Sequence, residues 1–379
     1  TAQVALCLVS LISAGLLLRS LQNTLAVDPG FDSRNGLVLP INLGFGRYDE
    51  ARGRQFYRQV IERVASLSGI RSATLAAYVP LGEIQGSHWV GIEGYQRGET
   101  ESMQLKRNMV GPNYFGTMGI PILRGRGIND RDTETTRPVA VINETMARRY
   151  WAGRDALGGK IRMGQMTLEV VGVMKDGKYG RLDSPAEPYF CLPMRQDKFE
   201  KQFHLVVRTT GDPRSMIGRV REEIRRMDPN LPVSNIMTMT QFLEYSLTGA
   251  KATATLVGIF GLVALVLAMV GVYGMMSFSV SQRTHELGLR MALGARRGEV
   301  LRMVLGQGMK LTLIGVGIGL VVAFGVTRVL SSLLFEVGAL DPFVFATVSL
   351  MLAGIAALAC YVPARWATHV DPITVLRYE

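Results

Sequence analysis

Three places in the chain carry residue types that could do chemistry. His285-Glu286-Leu287-Gly288-Leu289 begins like the helix of a zinc hydrolase, where two histidines one turn apart bind metal and the glutamate activates water. The second histidine position is Leu289, and the whole sequence holds only 4 histidines. Gly153-Arg154-Asp155-Ala156-Leu157-Gly158-Gly159-Lys160 has the glycines and lysine of a phosphate-cradling loop. An extra glycine displaces the lysine, and Ile161 stands where a magnesium-binding hydroxyl is needed. The segment reads as a loop before a strand. Asn143-Glu144-Thr145 matches a glycosylation triplet, a pattern frequent by chance. No serine, histidine and acid stand in a nucleophile context. The residues point to no catalytic group, no metal site and no cofactor, and so to no enzyme.

The neighbourhood of His285 carries a different signal. Placed on one helix, Arg283, Glu286, Arg290 and Arg297 fall along one stripe. Glu286 can pair with Arg283 and with Arg290, each pair contributing about 0.2–0.5 kcal/mol. Thr284, Gly288, Ala292 and Ala295 form another face with almost no side-chain bulk, with Leu287 and Met291 between the two. Such a face lets a second backbone approach closely. Gly294-Ala295-Arg296-Arg297 ends or bends the helix. The segment follows an uncharged apolar stretch, residues 256–280, and so lies at the mouth of a candidate membrane span. A helix placed there can receive force from a protein in the cytosol. A solvated basic connector is the plainer alternative, but a connector has no need of an ordered small face.

The surrounding elements follow from hydropathy. Hydrophobic residues make up 48% of the 379, and the excess is concentrated in residues 2–18, 256–280, 311–327 and 343–362. Each run has about the 17–25 residues of a spanning helix. The second is longer than the hydrocarbon core and is expected to tilt or protrude. Gly315, Gly317 and Gly319 in the third, and Gly258, Gly261, Gly271 and Gly274 in the second, are expected to permit tight helix packing. The runs are nearly free of ionisable groups, which argues against an ion-coupled pump. Thr1 opens the first run without a flanking segment, so the sequence reads as part of a longer chain.

Charge orients these helices. Net charge is +11. Residues 281–310 carry Arg283, Arg290, Arg296, Arg297, Arg302 and Lys310 against Glu286 and Glu299, whereas residues 328–342 carry Arg328 against Glu336 and Asp341. The positive-inside rule puts the first loop and both termini in the cytosol, and the large segment between the first two runs outside. Arg19 is an exception that snorkelling accommodates. Cys191 stands alone in the external segment, so no disulfide forms within it.

The external segment contains a repeat. Residues 37–43 read as a strand, followed by a helix with Phe56, Val60, Val64 and Leu67 on one face and a strand over 70–78. Residues 204–209 read as a strand, followed by a helix with Met216, Val220, Ile224 and Met227 at the same spacing and a strand over 233–237. Two βαβ units far apart in sequence suggest one α+β subdomain built from both ends of the segment. Between them, residues 139–142 and 168–173 read as strands with a helix over 144–151. Residues 125–193 are read as an inserted, mostly β subdomain.

The run Arg283-x-x-Glu286-Leu287-Gly288-Leu289-Arg290-x-Ala292-Leu293-Gly294-Ala295-Arg296 resembles the cytoplasmic signature of the FtsX/MacB-type (type VII) ABC transporter permeases. The ending Pro363-Ala364-Arg365…Val370-Asp371-Pro372…Leu376-Arg377 is similar to that family's C-terminus. Gly111-Pro112-x-Tyr114-Phe115 and Leu168-Glu169-Val170-Val171-Gly172 are similar to its MacB-like periplasmic core domain. The opening, Ala2-Gln3-Val4-Ala5-Leu6…Gly15-Leu16-Leu17-Leu18-Arg19, resembles the second module of acidobacterial duplicated orphan permeases. The resemblance implies four transmembrane helices plus an extracytoplasmic α+β domain with Porter-like βαβ repeats and an inserted Sabre-like subdomain. The implied divisions are 1–24 as helix and stalk, 25–250 as periplasmic core, and 251–379 as permease domain with a coupling helix at 283–297. Arg283, Glu286, Leu287, Gly288, Arg290, Ala292, Gly294 and Arg296 would contact a cytosolic ABC ATPase subunit. Other implied partners are membrane lipid, another permease module and a periplasmic protein, with no nucleic acid. The implied location is the bacterial inner membrane with the large domain in the periplasm. The implied function is mechanotransmission, for efflux or export. An alternative is a membrane regulator of a periplasmic cell-wall hydrolase, as FtsX-like proteins are.

Overall fold

The computed structural model describes residues 2–26, 28–45, 48–82, 86–180, 182, 184–282, 297–330 and 341–367. It divides into two compact units, one formed by Thr1–Ala26 with Gly249–Glu379 and the other by Val27–Thr248. In chain order, α1 (Ala2–Ala26) is followed by β1 (Gly36–Asn42), α2 (Glu50–Ala65) and β2 (Ile70–Ala76). Next come β3 (Gly86–Trp89), β4 (Gly91–Ile92), β5 (Gln104–Val110), α3 (Tyr114–Met118) and β6 (Ile122–Gly125). β7 (Val139–Asn143), α4 (Glu144–Tyr150), β8 (Lys160–Met163), β9 (Met166–Met174) and β10 (Tyr189–Pro193) follow. β11 (Gln202–Thr209), α5 (Ile217–Met227), β12 (Met237–Thr238) and α6 (Met239–Ser246) end the large unit. The long helices α7 (Thr248–Gln282), α8 (Arg297–Leu330) and α9 (Pro342–Ala367) complete the described chain.

The two βαβ units of the sequence are present and interlocked. β11 lies between β1 and β2, and β1 lies between β11 and β12, giving the order β12-β1-β11-β2. Leu37 pairs with Val207, and Val207 with Ala73, both antiparallel. β1 and β2 are therefore parallel strands split by an intruding third, the double split-βαβ topology. α2 starts because the Asp49 carboxylate accepts the Arg52 N–H, and its Phe56, Tyr57, Val60 and Val64 are buried at helical spacing. α5 follows a 3-10 turn opened by Asp212 and Pro213, and buries Val220 and Ile224. One expectation needs correction: the strand read over 233–237 is only β12, Met237–Thr238. Asn235 takes a left-handed φ of 57°, which breaks an extended run.

β2 touches β5 through one register pair, Ala76 with Val110, and from there the sheet continues as β5-β10-β7-β9-β8-β4. Residues from Gly86 onward thus contribute to this second part, together with the 125–193 span singled out in the sequence. Alternate residues of the strands divide two cores. Leu37, Leu39, Leu205, Val207, Phe190 and Ile142 pack with α2 and α5 on one face. Val38, Val206, Cys191, Val141 and Val110 pack with α3 and α6 on the other. Period-two alternation along each strand makes that division.

In the other unit, four described helices are long and apolar enough to cross a membrane. α7 has 35 residues, which at 1.5 Å rise is about 52 Å, well beyond a hydrocarbon core of about 30 Å. Packing runs through some of the expected glycines and not others. Added at Gly319, a Cβ would stand 2.9 Å from Leu8 Cδ2 and 3.0 Å from Ala5 Cα, and Gly261 meets Leu11. Gly258, Gly274 and Gly317 instead face open space. Two residues apart on a helix is about 200° of rotation, so Gly317 and Gly319 cannot share a contact face.

Gly319→Leu is expected to destabilise the helix bundle by about 1–3 kcal/mol through overpacking against α1, whereas Gly317→Leu leaves it unchanged. Thermal unfolding of both variants in detergent measures the difference.

Candidate functional site

Arg283, Glu286, Leu287, Gly288, Arg290, Ala292, Gly294 and Arg296 lie outside the described residues. What is described is the pair of helix ends that carry them: α7 stops at Gln282 and α8 resumes at Arg297. Close to those ends, Met276 of α7, Val304 of α8, and Cys360 and Ala364 of α9 form one buried cluster. A Cβ at Gly308 would collide with Cys360 Sγ and reach 3.1 Å from Met276 Sδ. Interdigitation this close holds the three helices as one body where the segment departs.

Arg19 of α1 and Asp341 meet within the same unit. Arg19 Nη1 lies 2.5 Å from Asp341 Oδ2. Asp341 Oδ1 accepts the N–H groups of Phe343 at 3.0 Å and Val344 at 3.3 Å, so it also caps α9. The exception to the charge rule is thus met by an ion pair, and the guanidinium also lies 5.6 Å from the Phe343 ring centroid.

The large unit has its own convergence of buried polar groups, at the segment that leads into β1. Arg208, on β11, has a side chain only 11% exposed. Its Nε donates to Thr117 O at 2.9 Å, Nη1 to Arg34 O at 2.5 Å and Nη2 to Asp32 O at 2.9 Å. The Asp32 carboxylate supplies the counter-charge at 3.1 Å. Next door, the Thr209 N–H donates to Asn35 O. Asn35 sits at φ 53°, a left-handed position that asparagine tolerates. Burial lowers the Arg208 pKa and the Asp32 charge opposes that fall.

The same segment is held at a second place. Lys178 N donates to Pro29 O at 2.9 Å, and Lys175 Nζ lies 3.3 Å from Asp28 Oδ2. Gly30 has φ 82°, and a Cβ there would stand 2.6 Å from Gly177 Cα, so only glycine fits. The loop that receives it is anchored by Asp176. That carboxylate accepts from Asn143 Nδ2, the Thr145 N–H and hydroxyl, and Arg148 Nη2, all at 2.8–2.9 Å. Residues 28–35 therefore bridge the two parts of the sheet, one through Arg208 and the other through the loop after β9.

The segment leaving the large unit lies beside the one entering it. Leu37 pairs with Thr238 and Val38 with Met237. A Cβ at Gly36 would meet Met239 Cβ at 3.0 Å. Thr238 and Gln241 form a capping box that starts α6 directly from β12. Both connections to the apolar helices thus spring from adjacent strands in fixed register.

The other chemical candidates resolve as structure. Asn143 is fully buried, and its Nδ2 donates to Asp176 Oδ1 and Glu187 O, leaving no proton of the amide free for modification. The Trp151 indole fills the space beside Gly159. Among the described residues no cluster of three His, Cys, Asp or Glu is placed to hold a metal ion. Burial pushes the Cys191 thiol well above its ordinary range. The sequence signal at Arg208 is a charge directly after the apolar run of residues 205–207. Its three carbonyl partners carry none, because every residue has a backbone carbonyl.

Comparison with known proteins bears on this arrangement. A family model described as MacB-like periplasmic core domain matches residues 4–227, and one described as FtsX-like permease C-terminal matches residues 258–372. The macrolide export ATP-binding/permease protein MacB of Hahella chejuensis is 32% identical over 291 residues, 73% of this chain and 44% of that protein. The uncharacterized ABC transporter permease YknZ of Bacillus subtilis is 26% identical over 308 residues, 76% of this chain and 77% of that protein. Among solved structures, the periplasmic region of MacB from Actinobacillus actinomycetemcomitans covers 58% of this chain and 95% of its own, with 15% identity and a TM-score of 0.41. The chain spans less than half the length of the MacB relative from Hahella chejuensis.

Arg208→Met is expected to cost about 1–3 kcal/mol of stability, since it leaves the buried Thr117 carbonyl without its donor and releases the part-buried carbonyls of Asp32 and Arg34; urea unfolding measures it. Acid acts on the same segment. The Gly30 N–H, with Lys175, lowers the Asp28 pKa; for Asp32, burial pushes the other way, but the Arg34 N–H and guanidinium with the Arg208 charge outweigh it. Folded values below the unfolded one mean the contribution is complete above about pH 3.9 and is lost as pH falls through the folded values. Hydrogen exchange of the 28–35 amides is expected to accelerate in that acid range before the β11 amides do.

Proposed function

The chain belongs to the MacB-like family of ABC transporter permeases, and we propose that it is a membrane module driven by a separate cytosolic ABC ATPase. ATP-driven displacement at the inner mouth of α7 and α8 would be passed along the helices to the large unit, which lies in the periplasm. Four apolar helices and a core domain of the periplasmic type fit an inner-membrane protein of that design. The observation that carries the reading is the pairing of β1 with β12. Two connections that leave one sheet from adjacent, register-locked strands cannot slide past each other, so displacement of either is delivered to the sheet as a whole. The Arg208 clamp and the Pro29–Lys178 contact then spread it over both parts of the sheet.

In this proposal the segment 281–310 and the C-terminus are cytosolic. Arg283, Glu286, Leu287, Gly288, Arg290, Ala292, Gly294 and Arg296 form the ATPase contact, with Gly288 and Ala292 on the face of closest approach. A second permease module completes the assembly, lipid surrounds the outward apolar residues of α7, and a periplasmic protein receives the motion. The work performed is export of a substrate, by analogy with the export named for the MacB relatives. No catalytic role is assigned to this chain; the chemistry belongs to the ATPase.

Gly288→Trp is expected to reduce ATPase binding and permease-stimulated hydrolysis at least tenfold, with the large unit's unfolding curve unchanged. Undiminished binding and stimulation would sink the docking model. Single-cysteine variants at Arg290 and Arg71 are expected to react with impermeant reagents from opposite sides of the membrane; reaction of both from one side would overturn the topology.

A further inference from the structure

The large unit contains a cleft of about 410 Å³ separate from the Arg208 clamp. Drug-sized ligands occupy pockets of about 300–1,000 Å³. It opens between α6 and the sheet, where β2 ends and β11 begins. Its apolar lining includes Val79, Leu81 and Phe242, and its polar lining Glu200, Gln202 and His204. Tyr245, 65% exposed on α6, also lines it.

The charges of this lining are one-sided. Among the described residues no lysine or arginine lines the cleft. Glu200 has no salt-bridge partner among the described residues. The His204 imidazole lies with Nδ1 3.1 Å from Ala77 O, and burial lowers its pKa, so it contributes no positive charge at neutral pH. A carboxylate without an ion-pair partner that shares one cleft with aromatic and aliphatic side chains complements a cation with an apolar body.

Leu81 supplies an independent observation. It is buried, carries a Cβ, and yet takes a left-handed φ of 66°. A hydrogen bond from its N–H to Tyr179 O at 2.8 Å holds it there. Non-glycine residues in this conformation are costly and gather at ligand clamps and switches. Here the strained turn contributes Val79 and Leu81 to the cleft's apolar lining and is tied to the second part of the sheet.

We propose that this cleft is a binding site for an amphiphilic organic cation, with its ammonium at Glu200 and its apolar body between Leu81, Phe242 and Tyr245. Occupancy would bridge α6, the helix that immediately precedes α7 in the chain, to the sheet. The site stands on its own geometry and does not depend on the ATPase coupling.

The test uses the full chain in lipid nanodiscs and three probes that share one ring system: 1-naphthylmethylammonium, 1-naphthalenemethanol and 1-naphthaleneacetate. Equilibrium dialysis against empty nanodiscs separates binding from partition into lipid. Saturable binding of the cation is expected, with the alcohol at least fivefold weaker and the carboxylate undetectable. Glu200→Gln is expected to bring the cation down to the alcohol's affinity and leave the alcohol unchanged. Tyr245→Ala is expected to weaken both severalfold. Both side chains are exposed, and an unchanged unfolding curve verifies that each variant folds. The proposal is overturned if the cation does not saturate above the empty-disc control, if cation and carboxylate bind equally, or if both variants bind like the parent chain.

Discussion

A guanidinium inside an apolar strand is tolerated only when its donors and its charge are all answered. Arg208 meets that condition with three backbone carbonyls and one carboxylate, and all but Thr117 O belong to residues 32–34. The arginine therefore fixes a path of main chain, where a side-chain partner would fix only a point. β1 begins immediately after that path, and its register with β11 and β12 is set from there. The strand that admits the chain to the large unit and the strand that releases it share a ladder for the same reason.

The unit of apolar helices solves a similar problem with similar means. Asp341 serves as helix cap and as counter-ion to Arg19, so one carboxylate satisfies two separate electrostatic needs. Elsewhere the helices hold each other by exclusion of bulk, with Gly308 against Cys360 and Gly319 against Ala5. Without a hydrophobic driving force between helices in lipid, close van der Waals contact is the main source of cohesion. A machine that transmits displacement benefits from both devices, because close-packed contacts and saturated polar groups have few alternative arrangements. The strained turn at Leu81 and the cleft beside it are the exception, a place where the large unit leaves space beside α6.

Much of this was readable one segment at a time. Phe56, Val60 and Val64 identify the buried face of α2, and Val220 and Ile224 that of α5, because helical period is a property of near neighbours. Uncharged length alone marks α7, α8 and α9. Local reading failed where local and distant geometry disagree. Asn235 turns a short apolar run away from extension, so only Met237 and Thr238 pair. Glycines 317 and 319 look equivalent in sequence, and their different roles depend on which side α1 occupies.

What the amino-acid sequence determined by itself is the periodic content: which stretches are apolar enough to span, which faces are buried, and that two βαβ units recur. Only the tertiary structure decided how those units interleave, and that Arg208 meets carbonyls of Thr117 and Arg34, 91 and 174 residues earlier. The physical reason is that periodicity arises from bonds along the chain, whereas a carbonyl acceptor is present at every residue and acquires meaning only through the strand folded beside it.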